Sequence, residues 1–368
     1  MSRRSRIAIS LGDPCGIGPE LLLGSLSVIC SWTDVTVVGS RAGVDLLMGL
    51  PGARVAWRWV EPTVQVPSTF SGKAYGLQVI SVGEPPDRVL GEALWLDPTP
   101  EIRTDQLRLG EGSAASGQAT VEAIRVAGLL TMSGATDALV TLPMAKSAAH
   151  LAGYPIPGHT EFLRELSGAP ITRMAFVSPR LNVVLHTVHQ SLRSVVEDLD
   201  ADAVAETLTF STRQFIQLTG KSDLRVALCA MNPHAGEQGA FGGEERILEE
   251  AIVRAEASFT IDAQPAPVFS GPLPSDSVFQ RAARGEFDLV VALYHDQGLI
   301  PVKLLEPERA VNLTLGLPFV RTSPDHGTAF DKAGKWIADS QNFLEATALA
   351  VRLAGRAPLT TAPPRTPA

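Results

Sequence analysis

The chain has 368 residues, enough for two domains or one large α/β unit, and 45% of them are hydrophobic, which supports a sizeable core. The formal net charge is −8, with no basic block long enough to track a phosphate backbone, so nucleic acid is excluded as a partner. The basic start MSRRSR is followed by too short an apolar run for a signal peptide, and no run reaches the ~18 residues of a membrane span.

Arg6 to Leu11 reads as the first strand, followed by GDPCGIGPE and an apolar helical pattern over Leu21 to Ile29. Pro19 suits a first helical turn, where its missing N–H costs nothing. A glycine-rich strand-to-helix turn can offer backbone N–H groups to an anion. Gly16-x-Gly18, however, lacks the third glycine of the dinucleotide fingerprint, so a tight turn with a solvated Asp13 stands beside the ligand reading. Cys15, Cys30 and Cys229 form no CxxC pair and read as small buried residues of a protein in a reducing compartment.

Asp34 to Val38 is a second strand, with a helix over Arg41 to Met48. Short strands are expected at Val55 to Val60 and Leu77 to Val82. Ser116 to Leu130 carries the 3.6-residue apolar period of a helix, and Asp137 to Thr141 is a buried strand leading to Pro143 and Lys146. Strand and helix alternate as in a doubly wound, mostly parallel sheet. Gly158 to Leu166 reads as a loop entering a helix with Thr160 as N-cap. His159, just before it, either donates to a phosphate or carboxylate or caps the turn.

Arg173 to Val177 and Leu181 to Val188 read as paired strands around Ser178-Pro179. His186 and His189 are three apart, which on a strand puts them on opposite faces, so at most one enters a site. A helix over Asp202 to Gln217 and a strand over Leu224 to Ala230 lead to Asn232-Pro233-His234 and a charged helix from Glu244. Pro267 to Ser270 precedes GPLPSDSVF, with Ser275 as N-cap and Asp276 early in the helix. The apolar run Asp288 to Leu293 delivers His295 and Asp296, and Gly298 and Pro301 read as turn elements before Lys303.

His189, His234 and His295 therefore each fall at or beyond a strand end, where α/β sheets place ligands. Neutral imidazole suits zinc and related ions. No pair has metal spacing, so hydrogen-bonded turn histidines and a divalent metal site both stay open.

Taken together, GDPCGIGPE, PGHTEFL, MNPHAGEQGAFGGEE, GPLPSDSVF, YHDQGLIPVK and VNLTLGLPFVRTSPDHGTAFDKAGK resemble the 4-hydroxythreonine-4-phosphate dehydrogenase family of vitamin B6 biosynthesis, in family order from about Ile7 to Ala354. The resemblance implies two α/β/α subdomains around mostly parallel sheets, like isocitrate and isopropylmalate dehydrogenases, with the active site in the cleft. The expected division is residues 1–141 with 305–357, then 142–304, with a disordered tail over 358–368.

The implied reaction is NAD- or NADP-dependent oxidation of 4-phosphooxy-L-threonine to 2-amino-3-oxo-4-(phosphooxy)butanoate, which loses CO₂ to give 3-amino-2-oxopropyl phosphate. The alternative is the same chemistry on a four-carbon sugar-acid 4-phosphate, D-erythronate or threonate. The resemblance implies a divalent ion (zinc, magnesium or cobalt) on His189, His234 and His295. It implies substrate contacts from His159, Thr160, Lys303, Asn312 and Arg321, with Lys303 and Asp276 catalytic and the cofactor contacts unassigned. It also implies a cytoplasmic homodimer with its active site at the subunit interface, so the three histidines need not belong to one chain. HTVHQSL departs from the family's THxPL-like run, which leaves His186 as the competitor of His189. TLPMAK replaces a TAPINK-like run.

Overall fold

The computed structural model describes residues 3–53, 55–81, 88–259 and 266–354; the expected tail at 358–368 lies outside them. In chain order the elements begin with β1 (Arg6–Ser10), α1 (Gly18–Trp32), β2 (Asp34–Val38), α2 (Arg41–Asp45), β3 (Ala56–Val60), β4 (Lys73–Ile80) and β5 (Val89–Asp97). Next come α3 (Ala114–Met132), β6 (Ala138–Thr141), α4 (Lys146–Leu151) and α5 (His159–Ser167). The middle holds β7 (Arg173–Val177), β8 (Asn182–Leu185), α6 (Leu192–Glu197), α7 (Ala201–Thr219), β9 (Arg225–Cys229) and α8 (Glu245–Ala257). The chain closes with β10 (Val268–Leu273), α9 (Ser275–Ala283), β11 (Leu289–Ala292), α10 (His295–Leu305), β12 (Val311–Leu315), β13 (Val320–Pro324) and α11 (Gln341–Ala354).

These elements form two compact units, residues 1–170 with 317–368 and residues 171–316. Both boundaries fall later in the chain than the 141/142 and 304/305 expected from sequence. α4 and α5 pack on α3 and so belong to the first unit. β12 pairs antiparallel with β7 and so belongs to the second.

In the first unit the strand order is β13-β6-β1-β2-β5-β4-β3. The strands from β13 to β5 run parallel, and β4 and β3 add an antiparallel edge. Period-2 alternation sorts the side chains. Ala8, Leu139, Val38 and Leu94 pack with Ile124, Ala127 and Leu130 of α3. Thr322, on the opposite face, donates to the carbonyl of Ala346 in α11 at 2.8 Å. Register therefore decides where Arg321 goes: it pairs with Leu139, which pairs with Ala8, so its side chain emerges on the α3 face.

In the second unit the order is β10-β9-β11-β8-β7-β12. β10, β9, β11 and β8 are parallel, and β7 and β12 are antiparallel. One face carries Val183, Leu185, Ala227, Cys229, Val290 and Ala292 against α9 and α10. α7 covers the other face, where Arg173 and His186 both hydrogen-bond to Thr207.

Two expected caps differ. α5 starts at His159 with Gly158 as N-cap, so Thr160 lies inside the helix. α9 has Pro274 as N-cap, and the hydroxyl of Ser275 turns to the carbonyl of Ala230 at 3.1 Å. The segment after β11 is also no turn: α10 runs through both Gly298 and Pro301.

Candidate active site

The first turn uses its glycines on its own chain. A Cβ at Gly12 would stand 2.3 Å from the carbonyl oxygen of Pro143, at Gly16 2.9 Å from that of Thr328, and at Gly18 2.3 Å from that of Leu11. The N–H of Gly16 donates to Asp13 and that of Ile17 to Thr328. These glycines answer to close packing of the chain on itself. Asp13 is buried, and its carboxylate accepts from the N–H of Cys15 at 2.9 Å and the hydroxyl of Ser116 at 3.3 Å. Burial outweighs those bonds and pushes its carboxyl up to about 6.

The first unit brings together a cationic cluster. Arg321 is buried, and its Nε and Nη2 donate to the hydroxyl of Thr141 at 3.1 and 2.6 Å. Burial lowers its pKa to about 10, opposed by the carboxylate of Glu161, so it stays charged at neutral pH. His159 begins α5 and hydrogen-bonds to the backbone of Leu142, while its Nε2 is shut from solvent with no partner among the described residues. Burial, then the positive charge of Arg321, holds this imidazole well below its ordinary pKa. The amine of Lys146 lies beside Gly158, 4.0 Å from where a Cβ would stand. The buried guanidinium is the anion-seeking group of this cluster; with the imidazole neutral and its N–H given to Leu142, Nε2 carries a lone pair and offers an acceptor. Thr141, Lys146 and Glu161, which stand beside Arg321 and His159, were not among the expected site residues; TLPMAK, one of the two departures from the family runs, was the signal for the first two.

The second unit holds the histidines. β8 and β11 are adjacent parallel strands, and their carboxyl ends deliver His189 and His295 to one place, with ring centroids 5.9 Å apart. Both line a pocket of about 380 Å³ with Val188, Leu192, Tyr294 and Asp296. The Nδ1 of His295 is 2.7 Å from Asp296 Oδ1. That bond leaves Nε2 for an ion, in the carboxylate–histidine pairing common to metal sites. Neutral imidazole nitrogens are the donors that zinc and related ions take, so this pair is a candidate for two ligands of a divalent ion. His186 goes elsewhere: its Nδ1 bonds Thr207 Oγ1 at 2.8 Å, and burial lowers its pKa to about 4.

His234 is not brought to this pair. It is exposed, its ring lies 6.4 Å from that of Phe241, and it opens a left-handed run through Gln238. Among the described residues no group of three His, Cys, Asp or Glu side chains is placed to hold a metal ion. Asp276 is exposed in the first turn of α9. Lys303 is exposed two turns beyond His295 on α10, about 12 Å along the axis. Asn312 sits on β12 opposite Phe176, its Oδ1 buried without a hydrogen-bond partner among the described residues.

The family model for pyridoxal phosphate biosynthetic protein PdxA matches residues 73–350. The chain belongs to that family. Among PdxA relatives, the D-threonate 4-phosphate dehydrogenase of Cupriavidus necator is 38% identical over 353 residues, covering 95% of this chain and 97% of that protein. The 4-hydroxythreonine-4-phosphate dehydrogenase of Desulfosudis oleivorans is also 38% identical over 353 residues, covering 95% of this chain and 96% of its own. The crystal structure of 4-hydroxythreonine-4-phosphate dehydrogenase from Klebsiella pneumoniae matches with a TM-score of 0.76 at 34% identity, over 95% of this chain and 98% of that one. The PdxA relatives are thus dehydrogenases by name, at equal likeness for two substrates.

Proposed function

We propose that the chain oxidises the C3 hydroxyl of 4-phosphooxy-L-threonine with NAD or NADP, giving a β-keto acid that loses its C1 carboxylate as CO₂. The observation that carries this reading is the His189–His295 pair with Asp296 on the second ring, in a chain of the PdxA family. A bound divalent ion (zinc, cobalt or magnesium) would favour alkoxide character at the substrate oxygen and later polarise the ketone, and a bound nicotinamide would take the hydride.

The chain's residues do the rest. Arg321 holds an anionic group of the substrate, with Lys146 adding charge; a buried guanidinium binds phosphate by charge-assisted bonds, and the neutral His159 offers Nε2 as an acceptor to a substrate hydroxyl. Thr160 and Asn312 are assigned substrate contacts. Asp296 keeps His295 in the tautomer that offers Nε2. Lys303 and Asp276 are assigned the proton transfers.

His234 completes the metal set in a homodimer. The surface beside the histidine pair supports this: Leu192, Ile300 and Leu304 are 63%, 58% and 77% exposed. Ile300, Lys303 and Leu304 share one face of α10 by their spacing.

A second reading keeps the chemistry and changes the substrate to D-threonate 4-phosphate, supported by the Cupriavidus necator relative. The two substrates differ at C2, ammonium against hydroxyl. Purified enzyme with each of 4-phosphooxy-L-threonine, D-threonate 4-phosphate and D-erythronate 4-phosphate, followed by nicotinamide reduction, decides between them. Turnover of the amino acid alone is the expected result; turnover of a sugar acid alone replaces the first reading with the second. No turnover of any would reject both.

A further inference from the structure

Behind the histidine pair lies a buried amide. Gln297, the third residue of α10, is 8% exposed. Its Oε1 accepts from the N–H of Leu293 at 2.6 Å. Its Nε2 donates to the carbonyl of Ala230 at 2.8 Å and to the hydroxyl of Ser275 at 2.9 Å, and that hydroxyl donates in turn to Ala230. Each partner lies just before a proposed functional residue. Leu293 is two residues before His295, Ala230 is four before His234, and Ser275 is next to Asp276. Leu293 also accepts, through its carbonyl, from both the N–H and the hydroxyl of Thr187, two residues before His189.

We infer that Gln297 is a positioning residue, one amide that locks the ends of β9 and β11 and the start of α9 together and thereby fixes where the metal-binding histidines stand. The inference rests on the metal reading above. The chemistry selects glutamine. The site asks for one acceptor toward Leu293 and two donors toward Ala230 and Ser275, which is what a primary amide offers. A carboxylate of the same shape keeps the first bond but turns an acceptor toward the carbonyl of Ala230, and it carries a charge out of water. The reach back from the third helical residue to the N–H before the N-cap resembles a capping box, with the remaining amide protons free to clamp neighbouring strands. Direct partners of metal ligands are worth roughly 10- to 100-fold in metal affinity, which bounds the effect of a residue that acts on the ligands' backbone.

The test is a titration of the metal-free full-length protein with Co²⁺ alone, read by calorimetry and by the visible d–d bands, in wild type, Gln297→Glu, Ser275→Ala and His295→Ala. Gln297→Glu should weaken Co²⁺ binding about 10- to 100-fold and change the band pattern, and Ser275→Ala, which removes one leg of the clamp, should weaken it about 2- to 10-fold. A merely structural amide would lower the melting temperature and leave both readouts alone. If Gln297→Glu does not fold, Ser275→Ala decides. Binding within twofold of wild type in the folded variants, with His295→Ala losing the ion, overturns the role of Gln297 only. Wild-type binding in His295→Ala overturns the metal seat and this inference with it.

Discussion

Arg321 and His159 show how a single register position becomes a binding group. Arg321 reaches the α3 face because it stands opposite Leu139, and it stays charged despite its burial, beside an imidazole that burial keeps neutral. Arg321→Ala should raise KM for the phosphorylated substrate by roughly 100-fold, the loss of a charged hydrogen bond of about 2–3 kcal/mol, with a smaller effect on kcat. Steady-state kinetics check this, and an unchanged KM would move the anion elsewhere. Asp13 makes a pH prediction. Its carboxyl titrates at about 6 in the fold against an ordinary 3.8. Between those values the folded protein holds a proton the unfolded chain has lost, so the contribution of Asp13 is fully present below 3.8 and is lost as pH rises through about 6. Asp13→Asn should therefore stabilise the protein at pH about 7.5, by at most on the order of 3 kcal/mol, and gain less at pH about 5. Denaturation at both pH values measures it; equal gains would mean that the carboxylate is not strained by burial.

At the scale of elements, most strands were legible because parallel strands buried on both faces read as apolar runs. β2 and β7 match their expected bounds, and β1, β6, β9 and β11 lie within a residue at each end. α10 was not legible, since Gly298 and Pro301 are turn residues by propensity. Gly298 serves packing: a Cβ there would stand 2.6 Å from a methyl of Leu185 and 2.9 Å from one of Val183. Tertiary contact, which spacing does not encode, overrode the local signal. The same limit hid the bond between Ser275 and Ala230, which joins residues 45 apart in sequence. The strand expected through Val188 ends at Leu185, so His186 and His189 both lie past it and strand parity does not sort them; the bond to Thr207 on α7 is what takes His186 away. His186→Leu should cost about 1–3 kcal/mol of stability through the lost bond to Thr207 while metal affinity stays within about twofold of wild type. Loss of the metal in that variant would reverse the choice of histidine.

At the scale of the whole molecule, two α/β units and the family could be read from the chain, because the motifs are long and lie in order. The homodimer is proposed from the family resemblance, not from periodicity, since Ile300 and Leu304, on one face of α10, are separated in sequence by Pro301 and Lys303. Ile300→Glu with Leu304→Glu places two charges on that face. The double variant should sediment as a monomer, keep its helical circular dichroism and bind metal at least about 10-fold more weakly. A dimer of wild-type affinity would separate the face from the site.

The most direct measurement strips the enzyme of metal and follows nicotinamide reduction as Co²⁺ or Zn²⁺ is returned, in wild type and in His295→Ala. The account predicts no turnover without metal, recovery that saturates in wild type, and none in the variant. Full turnover by the stripped enzyme, or equal recovery in His295→Ala, would contradict a metal-dependent dehydrogenase built on the His189–His295 pair.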